Sequence, residues 1–140
     1  MFDYWKKALT KDYANFNGRA RRSEYWYYTL MNFIILIGLQ ILIGLCAVGN
    51  LGVVSMILGI VYLIYALATL VPSLAVAVRR LHDTGKSGWF FLIALIPLIG
   101  SIWLLVLFCT DGDQGGNAYG SDPKNQSSMN DDALDSHLAN

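Results

Sequence analysis

An all-α integral membrane protein is the fold class this sequence predicts, with three transmembrane helices preceded by an N-terminal amphipathic interfacial helix. Three observations lead to it. Not one Asp, Glu, Lys or Arg occurs between Tyr25 and Val78, and none between Ser87 and Thr110. Hydrophobic residues make up 55% of the 140-residue chain and charged residues only 14%, against roughly 25% charged in soluble domains. The basic residues gather just outside the uncharged stretches, as they do beside membrane spans.

The N-terminal arm comes first. Phe2, Trp5, Leu9, Tyr13 and Phe16 recur at intervals of three or four and share one helical face. Lys6, Lys7 and Lys11 lie beside or opposite that face. This pattern predicts a helix over 2–14 that buries its aromatics at the headgroup boundary while its lysines meet anionic lipid. The alternative is a helix packed against the protein's own cytoplasmic loop.

About 20 apolar residues cross the hydrocarbon core as a helix. The first uncharged stretch is too long for one crossing and breaks at Gly49-Asn50-Leu51-Gly52, a run suited to a tight turn. Spans are therefore expected over about 25–48, 53–78 and 89–109. A long first span with no small-residue cleavage site after it reads as a retained anchor. Tyr25–Tyr28 and Trp89-Phe90 supply aromatic belts on one side.

Orientation follows from the Lys/Arg distribution. Lys6, Lys7, Lys11, Arg19, Arg21 and Arg22 precede the first span, and Arg79, Arg80 and Lys86 follow the second. The tail holds only Lys124. With three spans the N-terminus is cytoplasmic and the C-terminus periplasmic. Ile96-Pro97-Leu98-Ile99-Gly100 interrupts the third segment, and a kinked full crossing is preferred there. A re-entrant hairpin, returning the tail to the cytoplasm, is the rival. Residues 1–123 form the membrane domain, and the polar stretch 124–140 reads as a disordered tail.

Within the spans, polar and small residues fall in stripes. Ser55, Gly59, Tyr62, Thr69 and Ser73 line the second span, and Asn32 and Gln40 the first. They are expected to form the seam between the two helices. Cys46 and Cys109 are too few for a disulfide framework and read as unpaired apolar fillers.

Candidate chemistry is thin. No ionisable Asp, Glu, Lys or Arg sits inside a span, which disfavours a proton relay. Thr84-Gly85-Lys86-Ser87 resembles part of a phosphate-binding loop, yet Arg80 stands where its first glycine belongs. Asp83-Thr84-Gly85 lacks the second opposed carboxylate of an aspartic protease. In the calcium-loop-like run from Asp111, Gly115 cannot supply the fifth-position ligand and Asp122 replaces the bidentate Glu. His82 and Asp83 are adjacent and do not face each other on a helix. No catalysis, metal, cofactor or nucleic-acid partner is expected.

What remains is a set of charges: Arg19, Arg21, Arg22, Glu24, Arg79, Arg80, His82, Asp83 and Lys86. Asp83 is expected either to offset the charge of Arg79, Arg80 and Lys86 or to bridge to Arg19, Arg21 or Arg22, and Glu24 to bridge to Arg79 or Arg80. The same set is expected to form a basic cytoplasmic face toward anionic lipid headgroups or an unidentified membrane or cytoplasmic protein.

These motifs carry a resemblance. Phe16-Asn17-Gly18-Arg19-Ala20-Arg21-Arg22-Ser23-Glu24-Tyr25-Trp26 looks like the opening motif of the domain of unknown function 805 (DUF805) group of small bacterial inner-membrane proteins. Arg79–Trp89 with Ile96–Gly100 resembles its central signature, and Gly116–Pro123 its closing one, with Ala118 where a basic residue is common. The resemblance implies location and fold, and brings no activity or cofactor. The expected role is structural, assembly or envelope-related. The alternatives are an oligomeric transporter or channel component and, last, a membrane enzyme using His82 and Asp83.

Overall fold

The computed structural model describes residues 2–138. Five α-helices follow in order: α1 (Phe2–Thr10), α2 (Arg22–Val48), α3 (Gly52–Asp83), α4 (Ile99–Cys109) and α5 (Pro123–Leu138). A 3-10 helix, Gly88–Leu95, precedes α4. The chain divides into two compact units, one of residues up to Asn15 with Trp26–Ala75, the other of Phe16–Tyr25 with Val76 onward.

In the first unit α2 and α3 are the two helices long and apolar enough to cross a membrane. The sequence's turn signal is realised there. Asn50 adopts φ 57°, Leu51 donates its N–H to the Cys46 carbonyl, and Asn50 donates to Ala47. This pairing closes α2 with an αL residue and satisfies two of its orphan carbonyls. Asn takes the left-handed conformation more readily than branched residues do.

The expected seam forms only in part. Tyr28 Oη donates to the Thr69 carbonyl at 3.3 Å and lies 3.2 Å from Ser73 Oγ. Tyr65 Oη donates to Asn32 Oδ1 at 2.5 Å. Gln40 is exposed, Ser55 bonds back to Gly52 in its own helix, and Tyr62 is half-buried. A Cβ on Gly59 would meet nothing within 4 Å, so that glycine does not mark a close helix approach.

The N-terminal arm packs on α2 and α3 of this unit, not on the loop after α3. Ala8 is fully buried, Tyr4 stacks on Tyr27, and Trp5 Nε1 donates to Asn32 Oδ1 at 3.3 Å. Tyr13 Oη donates to the Ala68 carbonyl at 2.7 Å. That last bond has a cause inside α3. Pro72 lies within the helix and has no N–H for the carbonyl four residues back. The orphaned acceptor is the one Tyr13 takes. Helix α1 itself ends at Thr10, short of the expected 2–14.

The second unit departs most from expectation. Helix α3 extends to Asp83, so the Arg79–Asp83 part of the central motif is helical and not loop. It closes at Gly85, φ 71°, with Gly85 N–H to His82 and Lys86 N–H to Leu81; a glycine pays no Cβ penalty there. The apolar segment 89–109 is not one continuous helix. Its eight-residue 3-10 helix and eleven-residue α4 reach about 16 Å each, half of a hydrocarbon core of roughly 30 Å.

The two arms fold back on each other. Leu98 turns the chain at φ 63°, and Gly100 lies against the Ile93 carbonyl so closely that no Cβ fits. Both ends of the segment meet the last turns of α3: a Cβ on Gly88 would be 2.8 Å from Val78, and Arg80 Nε donates to the Phe108 carbonyl at 3.2 Å. Proline accounts for the break, and Gly100 for the reversal. Gly100→Ala is expected to cost about 1–3 kcal/mol by overpacking, read as a lower unfolding midpoint in micelles. An unchanged midpoint would refute the packing of these arms.

Helix α5 occupies the stretch that composition assigned to a disordered tail. Pro123 suits the first helical position. Asp122 Oδ1 accepts from Lys124 N–H at 2.9 Å, capping the helix start. Such local capping outweighs a polar composition that lacks any strong breaker after Pro123.

Candidate functional site

The site lies in the second unit, where the end of α3, the Gly18–Arg22 segment and the loop from Thr110 to Asp122 converge. Ala20, fully buried, donates its N–H to the Arg79 carbonyl at 3.0 Å, which fixes the opening motif beside the helix end.

Asp83 is the centre. Its Oδ1 accepts from Arg19 Nε at 3.0 Å and its Oδ2 from Arg80 Nη1 at 2.5 Å. All three side chains are at least 95% buried. The Cα of Gly112 presses on the Asp83 carboxylate with no room for a Cβ, and Asp113 N–H donates to the Asp83 carbonyl at 2.7 Å.

The two arginines spend their remaining donors on backbone carbonyls. Arg19 donates to Gly115 at 2.6 Å and to Asp113 at 2.5 Å. Arg80 donates to Phe108 and to Thr110. A planar guanidinium with five donors is suited to such multiple capture. The Thr110–Gly120 loop is thus wrapped around two buried cations.

A second buried pair adjoins. Arg79 Nη1 donates to Glu24 Oε1 at 3.1 Å. His82 Nδ1 lies 3.0 Å from the Gly18 carbonyl; since a carbonyl only accepts, Nδ1 carries the proton. The His82 ring stacks on Tyr119 at 4.0 Å, nearly parallel, and its carbonyl accepts from Asn117 Nδ2.

Asp122 ties off the loop. Its carboxylate accepts N–H bonds from Lys124 and from Gly115 at 3.1 Å. The bond from Lys124 first, then that from Gly115 and the Arg19 charge, hold its carboxyl below the ordinary carboxylate range against the opposing effect of desolvation.

The expected bridges between the two motifs are therefore formed, with particular partners: Arg19 to Asp83 and Arg79 to Glu24. Six of the nine residues expected on a basic face, Arg19, Glu24, Arg79, Arg80, His82 and Asp83, are buried. Their side chains are taken up in contacts within the unit. Arg21 is half-buried, and Arg22 and Lys86 are exposed, the latter over the Phe90 ring at 5.7 Å. Arg22 Nη1 donates to the Cys109 carbonyl at 3.1 Å and pairs with Asp111 at 3.3 Å.

The calcium-like run serves other ends. Asp111 pairs with Arg22, Asp113 accepts from Asn117, and Asp122 caps α5. Among the described residues no three His, Cys, Asp or Glu side chains are placed to hold a metal ion. Cys46 and Cys109 are free thiols. Sequence reasoning missed the carbonyl capture by Arg19 and Arg80, because backbone acceptors leave no side-chain signature. The glycines of the 112–120 stretch were the one available signal.

Comparison with known proteins matches residues 13–121 to the family described as "Protein of unknown function (DUF805)". The chain is 46% identical over 123 residues to the inner membrane protein YhaI of Escherichia coli K12, covering 86% of this chain and 95% of that one. It is 40% identical to the inner membrane protein YhaH of the same strain, covering 86% and 96%. The uncharacterised protein YiiR of that strain is 30% identical over 77% of this chain and 85% of its own length. No solved structure matches the chain.

Proposed function

The chain belongs to the DUF805 family of proteins of unknown function, and from that membership we propose that it is a non-catalytic integral protein of the bacterial inner membrane, with a structural, assembly or envelope-related role. Helices α2 and α3 cross the bilayer. The segment 88–109 enters from the cytoplasmic side and returns to it, so the N-terminus and α5 share the cytoplasm. This replaces the periplasmic C-terminus expected from three spans.

One observation carries the reading: Arg80 at the end of α3 binds the carbonyls of Phe108 and Thr110 at the end of α4. The charge pattern agrees. With two spans, all ten Lys and Arg residues fall on one side and the Gly49–Leu51 turn carries none, a fuller asymmetry than three spans allow. A non-catalytic role is supported by the use of His82 and Asp83 in internal bonds. The surface left for a partner is Arg22, Lys86, Lys124 and the lysines of the N-terminal arm, suited to anionic headgroups.

A fluorescent reporter and alkaline phosphatase, each fused after the last residue, test the topology. Fluorescence with a silent phosphatase is expected. An active phosphatase would restore the three-span arrangement and defeat this reading.

A further inference from the structure

We infer that Arg22 and Lys124 form a binding site for the phosphate of an anionic phospholipid, held in the absence of lipid by the carboxylate of Asp111. The inference rests on the re-entrant reading above and deepens it. Arg22 Nη1 and Lys124 Nζ approach the same oxygen, Asp111 Oδ1, at 3.3 and 3.8 Å. Two cations converging on one acidic oxygen is the arrangement a phosphate oxygen takes. All three side chains are exposed, at 52%, 55% and 71%, unlike the buried pairs around Asp83.

Exposure decides the energetics. A surface ion pair contributes only about 0–1 kcal/mol, so Asp111 is a weak occupant that an external anion can displace. The three charges leave the cluster at net +1. Arg19 and Arg80, held by Asp83 and by loop carbonyls, are not available for this exchange.

Position selects a lipid over other anions. Arg22 also holds the Cys109 carbonyl, the C-terminal end of α4. The hairpin that ends there has no charged residue from Ser87 to Thr110 and presents Trp89, Leu92, Leu95, Leu98, Ile99 and Trp103 outward. The reach of each arm, about 16 Å, matches one leaflet of a core roughly 30 Å thick. Cations at the base of an apolar wedge of that depth stand at headgroup height, with acyl chains beside the wedge.

The test uses the full chain reconstituted in phosphatidylcholine vesicles, with spin-labelled phosphatidylglycerol or phosphatidylcholine as probe. The fraction of motionally restricted label reports preferential association. Preference for phosphatidylglycerol is expected in the wild type. It should fall toward parity in Arg22→Gln and in Lys124→Gln, the second of which leaves the Cys109 contact intact. Asp111→Asn should raise it about fivefold, the effect of one charge worth about 1 kcal/mol at a membrane surface.

A preference unchanged or lowered in Asp111→Asn, with the unfolding midpoint of the wild type retained, overturns the proposal. Loss of the preference in millimolar inorganic phosphate would overturn the assignment to lipid. The tail reporter separates the two readings: a cytoplasmic tail with no lipid preference removes this site alone, whereas an external tail removes the topology beneath it.

Discussion

Asp83→Asn is expected to free the Thr110–Gly120 loop and to lower stability by roughly 3–5 kcal/mol, the usual effect of removing one partner from a buried ion pair. Two guanidinium groups lose their anion at once, both almost wholly buried. Backbone carbonyls remain for them, but those are dipoles and leave two like charges sharing one interior. The amide nitrogen of Asn would add a donor where only acceptors fit. Asp83→Glu offers no escape, since Gly112 lies against the carboxylate with no space for a longer arm.

Against a total stability of about 5–15 kcal/mol, this loss is enough to open the second unit while leaving the apolar helices α2 and α3 inserted. Limited proteolysis in membranes reads the difference: cleavage within 112–120 should rise steeply, with the α2–α3 fragment still membrane-bound. A loop as resistant as in the wild type would show that Asp83 does not hold it.

What the sequence made legible and what it did not divide along physical lines. The helices α2 and α3 and the Asn50 turn were readable because they follow from local rules, an uncharged run and an αL-tolerant residue. The bridging of the two basic motifs was readable as charge complementarity. The particular partners were not, because Arg79 and Arg80 are adjacent on one helix and differ as partners for Glu24 only in the direction they point. The hairpin was open to two readings because Pro97 kinks or breaks a helix equally well. Gly100 against the Ile93 carbonyl folds the two short helices back on each other, and that contact is tertiary. Tyr13 belongs to the same class: its bond to Ala68 depends on Pro72 far along the chain. Composition gave no sign of a helix over Pro123–Leu138 because it cannot register a single cap such as Asp122.

The opening and central motifs are buried against each other. Six residues expected on a basic face tie Phe16–Tyr25 to the end of α3. Buried charge pairs of this kind are weak contributors to net stability, because desolvation offsets attraction. Their strength is in specificity, since a mispaired arrangement leaves bare charges inside. The Arg80 contacts hold the end of α4 to the end of α3, so a mispaired core would also lose that tie.

That specificity supplies the second large expectation. Glu24→Arg should be as damaging as any substitution in the chain, since it places a second cation against Arg79 where both native side chains are about 95% buried. Combining it with Arg79→Glu should recover most of the loss. Recovery stays incomplete by about 1–2 kcal/mol, because the swap sets a cation in the first turn of α2 and an anion in the last turns of α3, each opposing its helix dipole. Glu24→Arg with Arg80→Glu should recover nothing. Arg80 points to Asp83, Phe108 and Thr110, so a glutamate there would face Asp83 and abandon two carbonyls while leaving Arg79 against the new arginine. Folded protein accumulated in membranes, with unfolding midpoints in micelles, distinguishes the two double variants. Equal recovery in both would mean that net charge alone matters on this face, and the pairing of Glu24 with Arg79 would have to be given up.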